Sequence, residues 1–327
     1  MCDISIIVPI YNERENIEVL HREITNALAG TPRPYELVLV DDGSRDGSRE
    51  ELERLARQDE RVRLVLLRRN FGQTAALQAG IDLAEGEILV MLDGDLQNDP
   101  ADIPALLQKI DDGYDLACGW RRNRQDKWLT RRLPSRIANR LIAWVTGVSI
   151  RDLGCTLKAI RRELAEELEL VGDMHRFIPI LAHRRGALYA EVETHHRPRR
   201  YGESKYGLSR IVRVVLDLIT VKFLLDYFTS PIKFFGQLGL GCGALGGMAA
   251  ATTLGMKLIA GVDMTGNPLL LVSIFFLLAG LQLTSLGVLG EINIRIYYDR
   301  HHRKPYAVTK LVGFEGRTQR HTLPLAG

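Results

Sequence analysis

Apolar runs that end abruptly on aspartates constrain the fold of this chain more than any other feature. Residues 38–40 end on the pair Asp41-Asp42, and residues 88–92 end on Asp93-Gly94-Asp95. Short apolar runs closed by turn residues are typical of buried parallel strands, whose carboxyl ends face the ligand crevice of open α/β sheets. The two acidic ends together predict one divalent metal and one nucleotide. Ordinary Asp-Gly turns or helix caps are the alternative interpretation of either end alone.

Strand and helix patterns alternate through the N-terminal part of the chain. Strands are predicted at residues 4–9, 35–40, 62–67, 87–92 and 115–119. Helices are predicted at residues 16–28, 48–57, 72–84 and 100–110. This order predicts an α/β fold with a doubly wound, mostly parallel sheet. The first strand is not followed by GxGxxG, and GxxxxGKS/T occurs nowhere, so dinucleotide redox and P-loop chemistry are disfavoured.

Asp93, Asp95 and Gln97 form the candidate metal site. At spacing i, i+2, i+4, an extended segment turns all three side chains to the same face. Their hard oxygen atoms suit Mg²⁺ or Mn²⁺ held together with substrate phosphates. An EF-hand loop is the competing interpretation, but the segment lacks the calcium-loop spacing and its closing Glu.

Two uncharged stretches, residues 234–256 and 269–290, predict membrane helices. Crossing a bilayer core as a helix takes roughly 20 residues, which each stretch supplies. The short turn at 257–268 predicts a hairpin with both ends on one side of the membrane. Buried core helices of a soluble protein are the alternative.

Positive charges assign that side to the cytoplasm. Lys233 precedes the first span, and Arg295, Arg300, Arg303 and Lys304 follow the second. The predicted organisation is a cytoplasmic catalytic domain at 1–207, a juxtamembrane amphipathic helix at 208–230, two membrane helices within 231–292 and a basic tail at 293–327. The expected location is the inner membrane, as a multi-pass protein. No signal peptide is expected, and residues 317–327 are expected to form a loose tail.

Arginines crowd residues 121–140 and 195–213, which favours anionic lipid and phosphate as partners, and nucleic acid is not expected. Residues 128–145 and 208–228 have amphipathic helical patterns that fit a membrane surface, although packing on the domain is the alternative. The four cysteines form no CxxC motif, so reduced thiols are expected.

Five motifs occur in order along the chain: Asp41-Asp42-Gly43-Ser44, Asn70-Phe71-Gly72-Gln73, Asp93-Gly94-Asp95-Leu96-Gln97, Arg151-Asp152-Leu153-Gly154-Cys155 and Arg199-Arg200-Tyr201-Gly202-Glu203-Ser204-Lys205. Together they resemble the family 2 polyprenyl-phosphate glycosyltransferases, which include dolichyl-phosphate mannose synthases and bacterial undecaprenyl-phosphate glucosyltransferases. The resemblance spans residues 1–315. It implies a GT-A fold, inverting transfer of a sugar from a nucleotide-sugar to a polyprenyl phosphate, Mg²⁺ or Mn²⁺ as cofactor, and a homo-oligomer, a tetramer by resemblance.

The resemblance also implies roles for particular residues. The nucleotide-sugar is assigned to Pro9, Tyr11, Glu13, Asp41, Asp42, Gln73 and Asp93. The metal is assigned to Asp93, Asp95 and Gln97. The catalytic residues are Asp152, Asp95, Arg199 and Lys205. The acceptor phosphate is assigned to Arg199, Ser204, Lys205, Arg132 and Arg176.

The acceptor changes the usual argument for a general base. A phosphate monoester with a second pKa of about 6 is largely dianionic at neutral pH, so its oxygen attacks without losing a proton. Asp152 is therefore expected to place the sugar or the acceptor, with a general base as the lesser alternative. UDP-glucose is the first expectation for the donor, with GDP-mannose, UDP-N-acetylglucosamine and a formylated aminoarabinose donor left open. A processive polysaccharide synthase and a non-catalytic scaffold are the rival functions.

Overall fold

The computed structural model describes residues 2–122, 148, 150–168, 170, 174–198, 230–263, 267–299 and 308–313. They belong to two compact units. The first consists of Met1–Asp217 with Lys304–Gly327, and the second is Leu218–Arg303. The amphipathic segments predicted at 128–145 and 208–228, and the loose tail predicted at 317–327, lie outside the described residues.

The described part of the first unit is an eight-stranded sheet with helices between its strands. The strands are β1 (Ile4–Ile10), β2 (Tyr35–Asp41), β3 (Val62–Leu67), β4 (Ile88–Met91), β5 (Leu116–Trp120), β6 (Lys158–Arg161), β7 (Tyr189–Glu193) and β8 (Val308–Val312). The helices are α1 (Arg14–Leu28), α2 (Ser48–Gln58), α3 (Gln73–Leu83), α4 (Ile103–Asp111), α5 (Arg162–Glu167) and α6 (Ile178–Arg184). Two 3₁₀ turns cover Pro100–Asp102 and Met174–Phe177.

The sheet has the strand order β7-β5-β6-β4-β1-β2-β3-β8. Strands β4, β1, β2 and β3 run parallel, as predicted from the alternating pattern. Strand β6 is antiparallel to both β4 and β5, and β8 is antiparallel to β3. The parallel centre brings the carboxyl ends of β1, β2 and β4 to one edge, so the segments that follow these strands meet there.

Both faces of the central strands are buried. On one face, Ile4, Ile6 and Val8 of β1 pack with the predicted apolar stripe of α1. On the other face, Ile7 packs with α3, most of which is buried. Gly80 allows this close approach, because a Cβ at that position would lie 2.3 Å from Ile7 Cγ2.

Strand β8 was not predicted from the sequence, which indicated only a basic tail over 293–327. It extends the sheet at β3, where Val308 is 5% exposed. Lys310 Nζ also donates to Glu53 Oε1 of α2 at 2.7 Å. The chain therefore returns to the sheet after the apolar hairpin.

The second unit is a pair of long helices, α7 (Pro231–Ala260) and α8 (Pro268–Asp299). Both are long and apolar enough to cross a membrane, and only 17% and 11% of their most hydropathic windows are buried. That exposure is opposite to what core helices of a soluble protein require. The helices pack closely at glycines: a Cβ on Gly239 would lie 2.4 Å from Thr284 Oγ1, and one on Gly280 would lie 2.7 Å from Gly239 O.

The contact at Gly239 predicts a position-specific cost of adding one methyl group. Gly239→Ala should lower the stability of the hairpin by about 1–3 kcal/mol, because the methyl group overpacks a backbone contact. The measurement is the unfolding temperature of the purified protein in detergent. Gly241→Ala is the matched control, since a Cβ there meets nothing within 4 Å. Equal changes for the two variants would contradict the packing described.

Candidate active site

The loops after β1 and β2 are joined by hydrogen bonds between them. The Asn12 amide donates to Ser44 Oγ at 2.9 Å, and Asn12 Oδ1 accepts from the Arg45 amide at 2.9 Å. Asn12 has a φ of +56°, a left-handed conformation that Asn adopts more readily than most residues. The loop that carries Tyr11 is thereby fixed beside the loop that follows Asp42.

Pro9, Tyr11 and Glu13, which the sequence assigned to the nucleotide-sugar, lie at this edge. Pro9 pairs with Val40 in the parallel ladder, so it belongs to β1 itself. The Tyr11 side chain is 38% exposed. Glu13 precedes α1 and accepts a hydrogen bond from Asn16 Nδ2. Their contacts with a nucleotide stay a prediction.

Asp41 and Asp42 have different surroundings. Asp41 is fully buried, and its Oδ2 accepts from Arg49 Nη2 at 2.6 Å while its Oδ1 accepts from the Ser44 amide at 3.1 Å. Asp42 accepts from the amides of residues 71 and 72 at 2.7 and 2.9 Å, which joins the loop before α3 to the same edge. Burial raises the pKa of the Asp42 carboxyl, and the two amides partly offset that rise. Asp41 thus stabilises the turn after β2, while Asp42 connects that turn to the loop before α3.

The segment Asp93–Gln97, called the acidic loop below, follows β4 and is a turn. The expectation of an extended segment is wrong, since Leu96 has a φ of +59° and Asp95 Oδ1 accepts from the Gln97 amide at 3.2 Å. Gln73, the first residue of α3, donates from Nε2 to Asp93 Oδ1 at 2.7 Å. Gln73 and Asp93, both assigned to the nucleotide-sugar, therefore act as one hydrogen-bonded pair.

The electrostatics of the acidic loop centre on Asp93. Burial, and then the charge of Asp95, raise the pKa of Asp93 to about 6. A hydrogen bond with Thr156 and the charges of Lys158 and Arg121 act in the opposite direction. The negative charges of Asp93 and Asp95 thus lie close together where water screens them little. A divalent cation bound there would relieve their repulsion.

Lys158, the first residue of β6, was not selected from the sequence. It is 2% exposed, lies in register with Met91 of β4, and donates from Nζ to the Cys155 carbonyl. A buried ammonium is costly unless negative charge lies near it. Its position beside the end of β4 supplies a counter-charge to Asp93.

The donor set of the acidic loop fits a hard divalent cation, with carboxylates from Asp93 and Asp95 and an amide oxygen from Gln97. Within the described ranges, no group of three or more His, Cys, Asp or Glu side chains could hold a metal by itself. A magnesium-type site that takes its remaining ligands from substrate phosphates and water matches this small protein donor set.

Asp152 forms a buried ion pair with Arg121, a residue that sequence reasoning did not select. Arg121 Nε and Nη2 donate to the two Asp152 oxygens at 2.7 and 2.9 Å, and the two side chains are 9% and 7% exposed. Burial opposes the charge of Arg121, but Asp152 outweighs it and holds the pKa of the guanidinium above its usual value. Bidentate geometry of this kind orients a carboxylate strongly. Asp152 is therefore held in place as the partner of a cation.

Of the residues assigned to the acceptor phosphate, only Arg176 falls within the described ranges; Arg132, Arg199, Ser204 and Lys205 lie outside them. Arg176 lies on the second 3₁₀ turn. The turn is held to α3 by a 2.6 Å hydrogen bond between Thr74 Oγ1 and His175 Nδ1. Burial lowers the pKa of His175 to about 3, so its ring is neutral and structural.

Residues 194–198, called the strap below, lead from β7 toward the segment predicted to contact phosphate. His196 forms a β-bridge with Asn98, and the Arg197 amide donates to the Gln97 carbonyl at 2.9 Å. His195 Nδ1 lies 2.8 Å from Asp102 Oδ1. The strap thus lies directly against the acidic loop.

Comparison with solved structures defines the class of fold. The chain is similar to glucosyl-3-phosphoglycerate synthase from Mycobacterium tuberculosis, solved with Mn²⁺, UDP and glucosyl-3-phosphoglycerate. The TM-score is 0.52 at 21% sequence identity, over 68% of this chain and 80% of that one. The expected GT-A-like fold is confirmed.

Sequence comparison then gives the family. The Glycosyl transferase family 2 model matches residues 5–169, and the chain belongs to glycosyltransferase family 2. It is 41% identical to dodecaprenyl-phosphate galacturonate synthase from Rhizobium johnstonii, over 97% of this chain and 94% of the relative. It is 38% identical to undecaprenyl-phosphate 4-deoxy-4-formamido-L-arabinose transferase from Serratia proteamaculans, over 95% and 94%. The resemblance to polyprenyl-phosphate glycosyltransferases is confirmed, whereas UDP-glucose as the donor is not.

The buried pair of Arg121 and Asp152 predicts a large and coupled effect on stability. Asp152→Asn should lower the free energy of unfolding by about 3–5 kcal/mol, because Arg121 keeps its charge without a counter-charge. The measurement is denaturant unfolding in detergent. Arg121→Met with Asp152→Asn should cost less than the sum of the two single changes, since the double variant leaves no unpaired charge. Strictly additive costs would show that the two groups are independent.

The His195–Asp102 contact predicts a pH-dependent contribution to stability. The hydrogen bond with Asp102 raises the pKa of His195 above 6.5, so the stabilisation is fully present below pH 6.5 and is lost as the pH rises through the raised value. His195→Gln should therefore lower the unfolding temperature more at pH 6 than at pH 9. His183→Gln is the control, because that ring packs edge-on against Tyr189. A pH-independent difference for His195→Gln would contradict the assignment.

Proposed function

We propose that this protein transfers one sugar, with inversion, from a nucleotide-sugar to a polyprenyl phosphate at the cytoplasmic face of the inner membrane. The observation that carries the proposal is the joining of the nucleotide-side loops with the acidic loop at one sheet edge, in a chain that also has two membrane-type helices. Relatives named for transfer to dodecaprenyl or undecaprenyl phosphate match it over nearly their whole length.

The donor we propose is a UDP-sugar. A structural neighbour was crystallised with UDP and Mn²⁺. Because relatives are named for galacturonate and 4-deoxy-4-formamido-L-arabinose, we propose to test these two sugars before the glucose that the sequence suggested first. Glucose, mannose and N-acetylglucosamine donors complete the panel to be tested.

The leaving group in this reaction is a nucleoside diphosphate. A lipid-phosphate oxygen attacks the anomeric carbon, the bond from that carbon to the diphosphate oxygen breaks, and the bonding electrons leave with the diphosphate. A cation held by Asp93, Asp95 and Gln97 would neutralise the charge that develops there. Gln73 orients Asp93 through the 2.7 Å hydrogen bond, so the helix start of α3 takes part in shaping the site. Arg199, Ser204 and Lys205 remain proposed phosphate contacts, and Arg132 and Arg176 remain proposed contacts of the lipid phosphate.

Asp152 is proposed to position the reacting groups and not to accept a proton. The two oxygens of Asp152 already accept hydrogen bonds from Arg121. This pairing stabilises the ionised carboxylate, so the proposed role requires no proton transfer to Asp152. The acceptor phosphate, with a second pKa of about 6, supplies its own anionic oxygen. Together the pair presents a fixed carboxylate and a fixed guanidinium at the end of β5.

The membrane arrangement we propose is a hairpin whose two ends face the cytoplasm. Lys233 lies in the first turn of α7, and the positive residues near the end of α8 satisfy the positive-inside tendency. Strand β8 supports this topology, because it follows α8 and pairs with β3 of the catalytic sheet. A homo-oligomer, with a tetramer as the expected state, is proposed by resemblance alone.

Radiolabelled donors distinguish this function from its rivals. Purified protein with undecaprenyl phosphate, Mn²⁺ and the UDP-sugar panel should yield a label in a lipid that mild acid cleaves. Asp95→Asn should reduce the rate by more than the roughly 10–100-fold typical of outer-shell partners, because it removes a charge from the cation site. Asp111→Asn is the matched control, since its carboxylate forms an exposed ion pair with Arg33.

The other possible results of this assay would indicate different functions. A long polymer would indicate a processive synthase, although the QxxRW helix of those enzymes is missing from the sequence. No product from any donor, with or without metal, would indicate a scaffold and falsify the proposal.

A further inference from the structure

The strap contacts the end of β5 and the segment that follows the acidic loop, and the proposed chemistry does not itself require these contacts. At its start, the Thr194 amide donates to the Trp120 carbonyl at 3.0 Å. In its middle, the His195 amide donates to Asp102 Oδ2 at 2.7 Å, and His196 bridges Asn98. The strap therefore ties the end of β5 to the segment that follows the acidic loop.

Arg197 is the point at which the strap is fixed most firmly. Its Nη1 donates to Glu23 Oε2 of α1 at 2.8 Å, and its Nη2 donates to Asp99 Oδ2 at 2.5 Å. Its amide donates to the Gln97 carbonyl at 2.9 Å. One residue thus connects α1, the chain after the acidic loop and the last residue of that loop.

The acidic loop needs restraint from outside itself. Leu96 is held in a left-handed conformation, which is unfavourable for a branched side chain. Asp93 and Asp95 are carboxylates two residues apart in the same turn, so their negative charges repel each other. Without contacts from elsewhere, both effects favour opening of the turn and separation of its oxygen ligands.

We propose that Arg197 is a positioning residue that holds the acidic loop in the arrangement that binds a divalent cation with the donor diphosphate. Its guanidinium, held by Glu23 and Asp99, fixes the main chain of the strap, and the strap's amide then holds the Gln97 carbonyl. The inference rests on the proposed function, because it takes the acidic loop to be the cation site. Supporting groups of this kind typically change metal affinity by about 10–100-fold when they are removed.

The test measures Mn²⁺ binding directly. The full-length protein in detergent, with UDP present, is titrated with Mn²⁺, and free Mn²⁺ is followed by its electron paramagnetic resonance signal. Arg197→Met should weaken Mn²⁺ binding by about tenfold. Arg197→Lys, which keeps the charge but loses the fork that reaches two carboxylates, should fall between Arg197→Met and the unaltered protein. The Mn²⁺ concentration for half-maximal sugar transfer should shift in the same order.

Two further variants separate positioning from general stability. Arg33→Met removes an exposed arginine–carboxylate pair formed with Asp111, which belongs to neither the acidic loop nor the strap, and it should leave Mn²⁺ binding unchanged. Glu23→Gln removes the negative charge from one of the two Arg197 ion pairs while the arginine remains, and it should weaken Mn²⁺ binding by a few fold. It keeps the proposal testable if Arg197→Met does not fold.

The outcomes are distinguishable. If the unaltered protein binds Mn²⁺ and transfers sugar, but the Arg197 and Glu23 variants bind Mn²⁺ like the Arg33 control, the role of Arg197 is overturned and the proposed function stands. If Mn²⁺ binding shifts as expected but no lipid product forms with any donor, the role of Arg197 is supported and the proposed function fails. If the unaltered protein does not bind Mn²⁺ with UDP, the role of Arg197 is overturned, and the sugar-transfer assay alone decides the proposed function.

Discussion

Two carboxylates, Asp93 and Asp95, lie together at the end of a buried strand. Their mutual repulsion is the constraint on which the rest of the site depends. Water screens their repulsion poorly there, so the surrounding chain supplies the compensation. Gln73 donates a hydrogen bond, and Lys158 adds a buried positive charge from the neighbouring strand. Strand β6 therefore does more than widen the sheet, since it introduces a cation into the interior. The pairing of β6 with β4 and the chemistry of the site therefore both depend on balancing the negative charge of Asp93 and Asp95.

Several loops from distant parts of the sequence act as one surface because backbone amides satisfy buried carboxylates. Asp42 is the clearest case, as it follows β2 and accepts from the amides that precede α3. Arg121 and Asp152 make a comparable connection between the end of β5 and the chain before β6. Removing any one of these carboxylates would leave donors unsatisfied in a buried position, which is costly. The rigidity of the site is thus a by-product of hydrogen-bond satisfaction.

Much of the fold was predictable from local patterns, and motifs indicated which segments follow the central strands, whereas the roles of their residues stay predictions. The apolar stripe of α1 and the parallel strands were both readable, because each follows a simple period of buried residues. Strand β8 was not, since its five residues gain their stability from pairing with β3, far away in sequence. Arg121 and Lys158 were missed for a related reason. Their importance comes from burial beside a carboxylate, and a single sequence does not show which lysine or arginine is buried.

Because β8 follows both apolar helices in the chain, the order of synthesis affects when the sheet is completed. The strand that covers the edge of β3 is made only after both apolar helices have been synthesised. Until then, β3 presents unpaired amides and carbonyls, the kind of edge that invites association with another strand. Completion of the enzyme's sheet therefore waits for synthesis of the whole hairpin, and a chain that ends before β8 would keep an exposed strand edge.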